Sequence, residues 1–416
     1  MYCRAMNDKQ LYGKILGVSS PWTVTGVDLR LEQGEVKIMV EHDPVALSCP
    51  ECERICPGYD TRSRQWRHLD TCQYRTILSA EVPRIKCEQH GVKQIDVPWA
   101  APGSRFTILF ESLVIDWLGE SSIKGVARLM GLSWDQADGI MARAVGRGLL
   151  RRELEPPRAI GVDEKSFKKR HDYVTIVTDS DRKRVLHVAD GRRKEALLGF
   201  YEQFTDEQLD KLEVVTMDMW SPYVAATREK VPGADQKIAF DRFHVARHLL
   251  DGVDRVRREE NSRLCEQGDR RLVGSRYYWL QNPLHMSDQR LADFQAIRGA
   301  SLATARAWAM NDAASALWAR DSDRAAVTQR WKDWLKWPPR CRMRPMMEAG
   351  RMIKRNLWGI VNAIVHGATN AGAEGFNSVI QKLKGRACGY RNRERFRNAI
   401  YFHLGGLDLY PRQGQA

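Results

Sequence analysis

Residues 159–190 read AIGVDEKSFKKRHDYVTIVTDSDRKRVLHVAD, and the fold turns on how they divide. AIGVDEKSF, YVTIVTD and RVLHVAD are short apolar runs rich in β-branched residues, too short for helices and bounded by polar clusters, so they predict three strands. VTDSDRKR is the hairpin turn between the last two, with Asp179 and Asp181 as ordinary turn residues. Working outward, KEALLGFYEQF has a helical pattern, and VVTMDMW and KIAFDRF are two further strands. Strands joined by hairpins, then a helix and more strands, predict a mixed α/β sheet.

Two of these runs end in an acid. Asp163 follows AIGV and Asp218 follows VVTM; an acid at the end of a buried strand sits at the sheet edge, where a cleft can form. Glu164 points to the opposite face by strand alternation and is left out of that cleft. A third acid stands in TNAGAEGFNSVIQKLKGR, residues 369–386. Glu374 is the only acidic residue between Glu348 and Glu394. If Asn370 opens a helix there, Asn370, Glu374 and Asn377 share one face. An acid in the first turn of a helix is also favoured by the macrodipole, so spacing alone leaves both readings open. Three carboxylates in one cleft repel, by about 4 kcal/mol per pair at 4 Å and an effective dielectric of ~20. They persist by binding protons or cations. Mg²⁺ or Mn²⁺ suits such oxygen donors, and two ions about 3.5–4 Å apart serve phosphodiester chemistry.

Of nine cysteines, five fall between Cys49 and Cys87. Cys49 and Cys52 make one C-x-x-C pair; Cys87 and His90 repeat the spacing with histidine last. Two such pairs on tight turns predict tetrahedral, structural zinc in a reducing compartment. Cys56 is an alternative ligand, and Cys72 reads as a buried thiol. YRTILSAEVPRIKC looks like strand between the pairs. Next, SSIKGVARLMGLSWDQADGIMARAVGRG predicts two short helices broken at GLS, with Ser133 capping the second at Trp134. This is a helix-turn-helix, whose second helix is expected to enter a major groove. RRELEPPRA then ends the helix as a linker.

The 416-residue chain carries a formal charge of +14 and is 43% hydrophobic. That excludes overall disorder and favours a polyanionic partner. Arg330–Arg355 holds nine Lys/Arg against two acids, and Lys382–Arg397 seven against Glu394. Arg340, Arg342, Arg344, Lys382, Lys384, Arg386, Arg391 and Arg393 are the candidate DNA contacts. Trp331 and Trp334 are aromatic candidates beside KWPPRCRMR, within a Trp-rich helical stretch from about Leu249 to Val365. No membrane span or signal-peptide run is present in the sequence.

GVDEKSF, VTMDMWSPYVAA, FDRFHVARHLL and TNAGAEGFNSVIQKLKGRACGYRNRERF together resemble the signature blocks of DDE transposases of the ISL-three family of bacterial insertion sequences. The likeness runs from the cysteine cluster to IYFHLGGLDL. It implies a multidomain α/β protein in five segments. They are an N-terminal region with a zinc ribbon (1–100, ligands within 49–90), a helix-turn-helix domain (101–152), the first part of a ribonuclease H-like catalytic core (158–248), a helical insertion (249–365), and the last part of the core (366–416). By that resemblance Asp163, Asp218 and Glu374 form the catalytic, magnesium-binding triad. Asp241 and His244 match an Asp-x-x-His element that supports it, and Cys49, Cys52, Cys87 and His90 bind zinc. Many relatives carry Cys where His90 stands. The implied activity is binding of terminal inverted repeats, metal-dependent strand cleavage and strand transfer into target double-stranded DNA, by a homo-oligomer in the bacterial cytoplasm with no membrane partner. The competing readings are a catalytically silent DNA-binding regulator and a junction-cutting nuclease that does not join strands.

Overall fold

The computed structural model describes residues 7–412 apart from 169–171, 282, 300–301 and 369–370. Asn370 therefore lies outside the described residues, as do the side chains of Ala371, Ala373 and Glu374. The chain divides into two compact units, Met1–Glu153 with Glu394–Ala416, and Leu154–Arg393.

In the first unit, strands run in the order Trp22–Arg30, Glu35–His42, Arg75–Cys87 and Gly58–Arg67, with Gly91–Gln94 paired to Arg75–Cys87. Alternation in Arg75–Cys87 buries Thr76, Leu78, Ala80 and Val82 on one face, as a half-covered strand requires. Trp22, Trp66 and Trp99 pack edge-to-face against one another, centroids 4.8 and 5.5 Å apart. The helices Ile108–Glu120, Ile123–Leu129 and Trp134–Arg151 follow. Ser133 caps the third, accepting from Gln136 N while the Gln136 side chain returns the bond, a capping box. Gly131 in the turn has φ +61°, a conformation glycine adopts without penalty. Glu111 is a buried acid among basic partners. It accepts from Arg143 (2.5 Å), Arg147 (3.2 Å) and Ser104 Oγ (3.0 Å), which locks the first of these helices to the third.

The C-terminal helix Arg393–Leu404 lies, from Glu394 onward, within this first unit. Arg395 pairs with Asp135 and Asp138 and covers the Trp134 ring. The segment beyond it threads back along the third helix, where Arg147 and Arg151 donate to the carbonyls of Leu409 and Tyr410.

In the second unit a five-stranded sheet has the order Arg184–Asp190, Asp172–Asp179, Ala159–Lys168, Val214–Met217, Ile238–Phe240. The first three are antiparallel neighbours and the last two run parallel to Ala159–Lys168. This is the mixed sheet expected of the catalytic core. Asp179 is a hairpin residue, accepting from Asp181 N and Arg182 N.

The helical stretch shares one core with the sheet rather than standing apart from it. Arg344–His366 lies on the Ile238–Phe240 strand at Gly359, where an added Cβ would come 2.4 Å from the Phe240 ring. Asn362 fixes this packing by donating to the carbonyls of Asp235 and Ile238. Trp331 and Trp334 are corrected here. Both are buried, at 0% and 6% exposure, and Trp334 Nε1 donates to Met310 O. Their spacing puts them on the apolar face of Arg324–Trp334, so these rings are core rather than DNA-facing.

Candidate functional site

Three acids stand on or directly after three neighbouring parallel strands. Val214–Met217 pairs with Ala159–Gly161 and stops there, whereas Ala159–Lys168 continues beside Asp172–Asp179. Asp163 is thus not at a strand end, as its sequence position implied. It lies mid-strand, just past the point where the parallel neighbour ends. Asp218 follows Val214–Met217 directly, and Asp241 follows Ile238–Phe240. All three stand at the carboxyl edge of the parallel part, where open α/β sheets leave a crevice.

Asp241 caps the 25-residue helix Arg242–Glu266, accepting from Phe243 N at 3.0 Å. The first turn of that helix presents His244, whose Nε2 lies 2.8 Å from Asp218 Oδ1 and 3.8 Å from Asp241 Oδ2. The short approach to Asp218 is not aligned as a hydrogen bond, which leaves Oδ1 buried without an aligned donor. Burial raises the Asp218 carboxyl, with His244 opposing. Burial alone would depress His244, but Asp218 and Asp241 hold it above its ordinary value. Donor atoms of Asp218, Asp241 and His244 lie within 4.8 Å of one another. Two carboxylates, one of them with its buried oxygen lacking an aligned donor, and one imidazole fit a divalent cation.

Asp163 is held at both oxygens. Oδ1 accepts from Glu164 N and Oδ2 from Asn377 Nδ2, each at 2.6 Å. Asn377 belongs to the helix Ala371–Arg386, so the helix carrying Glu374 is seated on the Asp163 strand. The Glu374 side chain itself lies outside the described residues. Glu164 turns to Arg192 at 3.1 Å, and Arg192 is sandwiched between the Tyr173 and Trp220 rings at 4.4 and 4.6 Å. The sequence reading missed Arg192; Trp220, two residues past Asp218, was the signal available.

The four residues expected to bind zinc converge. Cys49 Sγ and Cys87 Sγ each lie 3.6 Å from His90 Nδ1, and Cys52 Sγ lies 3.8 Å from Cys87 Sγ. Tetrahedral zinc, with Zn–S near 2.3 Å and Zn–N near 2.1 Å, spaces its donors by about 3.5–3.8 Å. The cluster fits that ion. Backbone N–H groups of His90 and Gln89 pull the Cys87 thiol down to about 6, toward the thiolate that binds metal. Cys56 instead donates to Arg54 O. Cys72, expected as a buried thiol, is exposed in a turn at φ +49°.

The basic candidates separate. Arg340, Arg342, Lys382, Arg386 and Arg391 are exposed, and Arg344 pairs with Glu348. Lys384 donates to Ser166 O, and Arg393 pairs with Asp172 and Asp190, so both are tied to the core sheet. The arginines of the helix Trp134–Arg151 likewise turn to partners within their own unit: Arg143 and Arg147 to Glu111, Arg151 to Asp408.

Comparison with known families agrees with this architecture. A family model described as "Transposase" matches residues 160–400. The helix-turn-helix domain of transposase family ISL3 matches 95–145, and the zinc-finger of transposases IS204/IS1001/IS1096/IS1165 matches 46–90. The chain belongs to the ISL3 family of DDE transposases, DNA-binding proteins with transposase activity. Among its relatives, the transposase for insertion sequence element IS1557 of Mycobacterium tuberculosis is 27% identical, with 93% of each chain covered. The transposase for IS1001 of Bordetella parapertussis is 25% identical, with 94% of this chain and 97% of that one covered.

Proposed function

We propose that the protein binds the terminal inverted repeats of its own insertion sequence, cuts a strand at each end, and joins the freed 3′-hydroxyl to target double-stranded DNA. The observation that carries this reading is a placement: Asp163, Asp218 and Asp241 at the carboxyl edge of three adjacent parallel strands, with the Glu374 helix seated on the Asp163 strand.

In this reading Asp163, Asp218 and Glu374 hold one or two Mg²⁺ or Mn²⁺ ions. Bound there, such ions supply Lewis acidity to the attacking and leaving oxygens of an in-line displacement. The chain's own task is to hold the carboxylates close against their repulsion. Asp163 is fixed by Glu164 N–H and Asn377, while Asp218 is shielded from bulk water and faces His244. Asp241 supports the site by capping the helix that presents His244. Zinc at Cys49, Cys52, Cys87 and His90 supplies folding energy to the ribbon, which with the helix-turn-helix reads the ends. Arg340, Arg342, Arg344, Lys382, Lys384, Arg386, Arg391 and Arg393 line the phosphate track, the exposed ones contributing most. Cutting two ends together implies a homo-oligomer acting on DNA in the cytoplasm. No helix of the described residues is long and apolar enough to cross a membrane.

The test supplies pre-cut, labelled element ends with target plasmid and a divalent cation. Joined products support a transposase. Cleavage without joining supports the junction nuclease, and end binding with neither step supports a silent regulator.

A further inference from the structure

The strand bearing Asp163 and the helix bearing Glu374 come from segments more than two hundred residues apart, and one side-chain hydrogen bond joins them at the site. Asn377 Nδ2 donates to Asp163 Oδ2 at 2.6 Å. Asn377 is half-buried and follows Glu374 by three residues, about one helical turn. The rest of the helix is anchored independently. Phe376, Ile380 and Leu383 are buried, and Lys384 donates to Ser166 O at 2.6 Å on the same strand as Asp163. The helix is therefore held by more than the Asn377 amide.

The chemistry of the Asn377 amide identifies its purpose. A carboxylate has two oxygens with about four lone-pair directions. The Asp163 pair uses one on Glu164 N–H and one on Asn377 N–H, which leaves each oxygen with further acceptor capacity. Two donors fix the carboxylate plane and leave it fully acceptor. Asn377 can donate at this position without adding charge, whereas Lys or Arg would compete with a cation.

We propose that Asn377 is a positioning residue: it orients the Asp163 carboxylate for divalent-cation binding, and it ties the helix that bears Glu374 to that carboxylate. The proposal rests on the reading of Asp163 as a metal ligand. It goes beyond that reading by making assembly of the site depend on an uncharged amide that touches neither substrate nor reacting atoms.

The test replaces Asn377 by Leu, which is close in volume and cannot donate, in the full zinc-loaded chain. Mn²⁺ binding is followed by electron paramagnetic resonance without DNA, and strand cleavage is titrated with Mn²⁺ in parallel. Asp163→Asn defines the signal that belongs to this site. Asn377→Leu is expected to weaken Mn²⁺ binding about 10–100-fold, the usual effect of removing a partner of a metal ligand. The Mn²⁺ concentration for half-maximal cleavage should rise by the same factor, with end-DNA binding unchanged. Wild-type Mn²⁺ affinity in a folded Asn377→Leu chain overturns the proposal. If Leu prevents folding, Asn377→Ala answers the same question by the same two readouts. Should Asp163→Asn itself bind Mn²⁺ and cleave like wild type, the reading of the acids fails, which is a different outcome from failure of Asn377 alone.

Discussion

His90 presents Nδ1 to the Cys87 thiol at 3.6 Å and turns Nε2 toward Glu51, 3.5 Å away. A ligating imidazole is commonly oriented in this way by a carboxylate on its far nitrogen. One zinc per chain is therefore expected. Cys87→Ser should lose it, Cys56→Ser and Cys72→Ser should keep it, and Glu51→Ala should weaken zinc retention about 10-fold. Zinc content under chelator competition measures all four. Loss of zinc in Cys56→Ser together with retention in His90→Ala would reassign the fourth ligand.

Glu111 predicts a fold dependence. Its side chain is 1% exposed between Arg143 and Arg147. Removing one partner of a buried pair leaves uncompensated charge, at a cost of about 3–5 kcal/mol. Glu111→Ala should therefore lower the unfolding midpoint of the first unit and abolish specific end binding, while Leu109→Ala, on the same helix and exposed, should do neither. Differential scanning calorimetry with a gel-shift assay separates the two variants.

Acid should loosen the same unit through His68. Burial pushes its imidazole down to about 4, and its Nδ1 is 2.9 Å from Thr107 Oγ1, the cap of the Ile108–Glu120 helix. The folded value lies below the unfolded one near 6.5, so the unfolded state binds the extra proton between those limits. The stabilisation is complete above about pH 6.5 and is lost as pH falls toward 4. It amounts to about 3 kcal/mol at most. His68→Gln, neutral throughout, should flatten stability against pH in that window, as read by urea denaturation at about pH 7, 5.5 and 4.5. An unchanged slope would assign the acid sensitivity elsewhere.

Arg340, Arg342 and Arg344 carry a prediction about salt. Each phosphate interaction removed should flatten the slope of log affinity against log salt by about 0.9. Because Arg344 already pairs with Glu348, changing all three to Gln should reduce the slope by about two rather than three. Trp331→Ala should behave differently: a buried ring costs about 3–5 kcal/mol of stability and leaves the salt slope alone. Filter binding across a salt series, beside thermal unfolding, distinguishes the two.

Much of this architecture was legible because its signals are local. The runs of 159–190 are set by side-chain period and turn chemistry, and Ser133 announces its helix by a capping box confined to four residues. What the sequence hid depends on distant partners. Asp163 looks like the end of a strand because AIGV stops being apolar there, yet the strand continues, since Asp172–Asp179 pairs with it beyond the end of Val214–Met217. Trp331 and Trp334 sit among arginines in the sequence, and only the packing of their helix against the neighbouring core shows which side is buried. Grouping of Glu394–Ala416 with the first unit rests on pairs such as Arg395 with Asp135, which are so far apart in the chain that no spacing rule reaches them. Asp163 and Asp218 were nameable because each closes a short apolar run, and Asp241 and His244 through the family resemblance of FDRFHVARHLL; Arg192 and the hydrogen bond from Asn377 to Asp163 were not.

The most direct measurement is cleavage and joining of labelled element-end DNA in Mg²⁺ or Mn²⁺ by wild type and by Glu374→Gln, with end binding followed on the same samples. The account predicts that wild type cuts and joins, while Glu374→Gln binds the ends with equal affinity and loses both reactions. Full cleavage by Glu374→Gln would contradict it, because the crevice would then work without its third carboxylate.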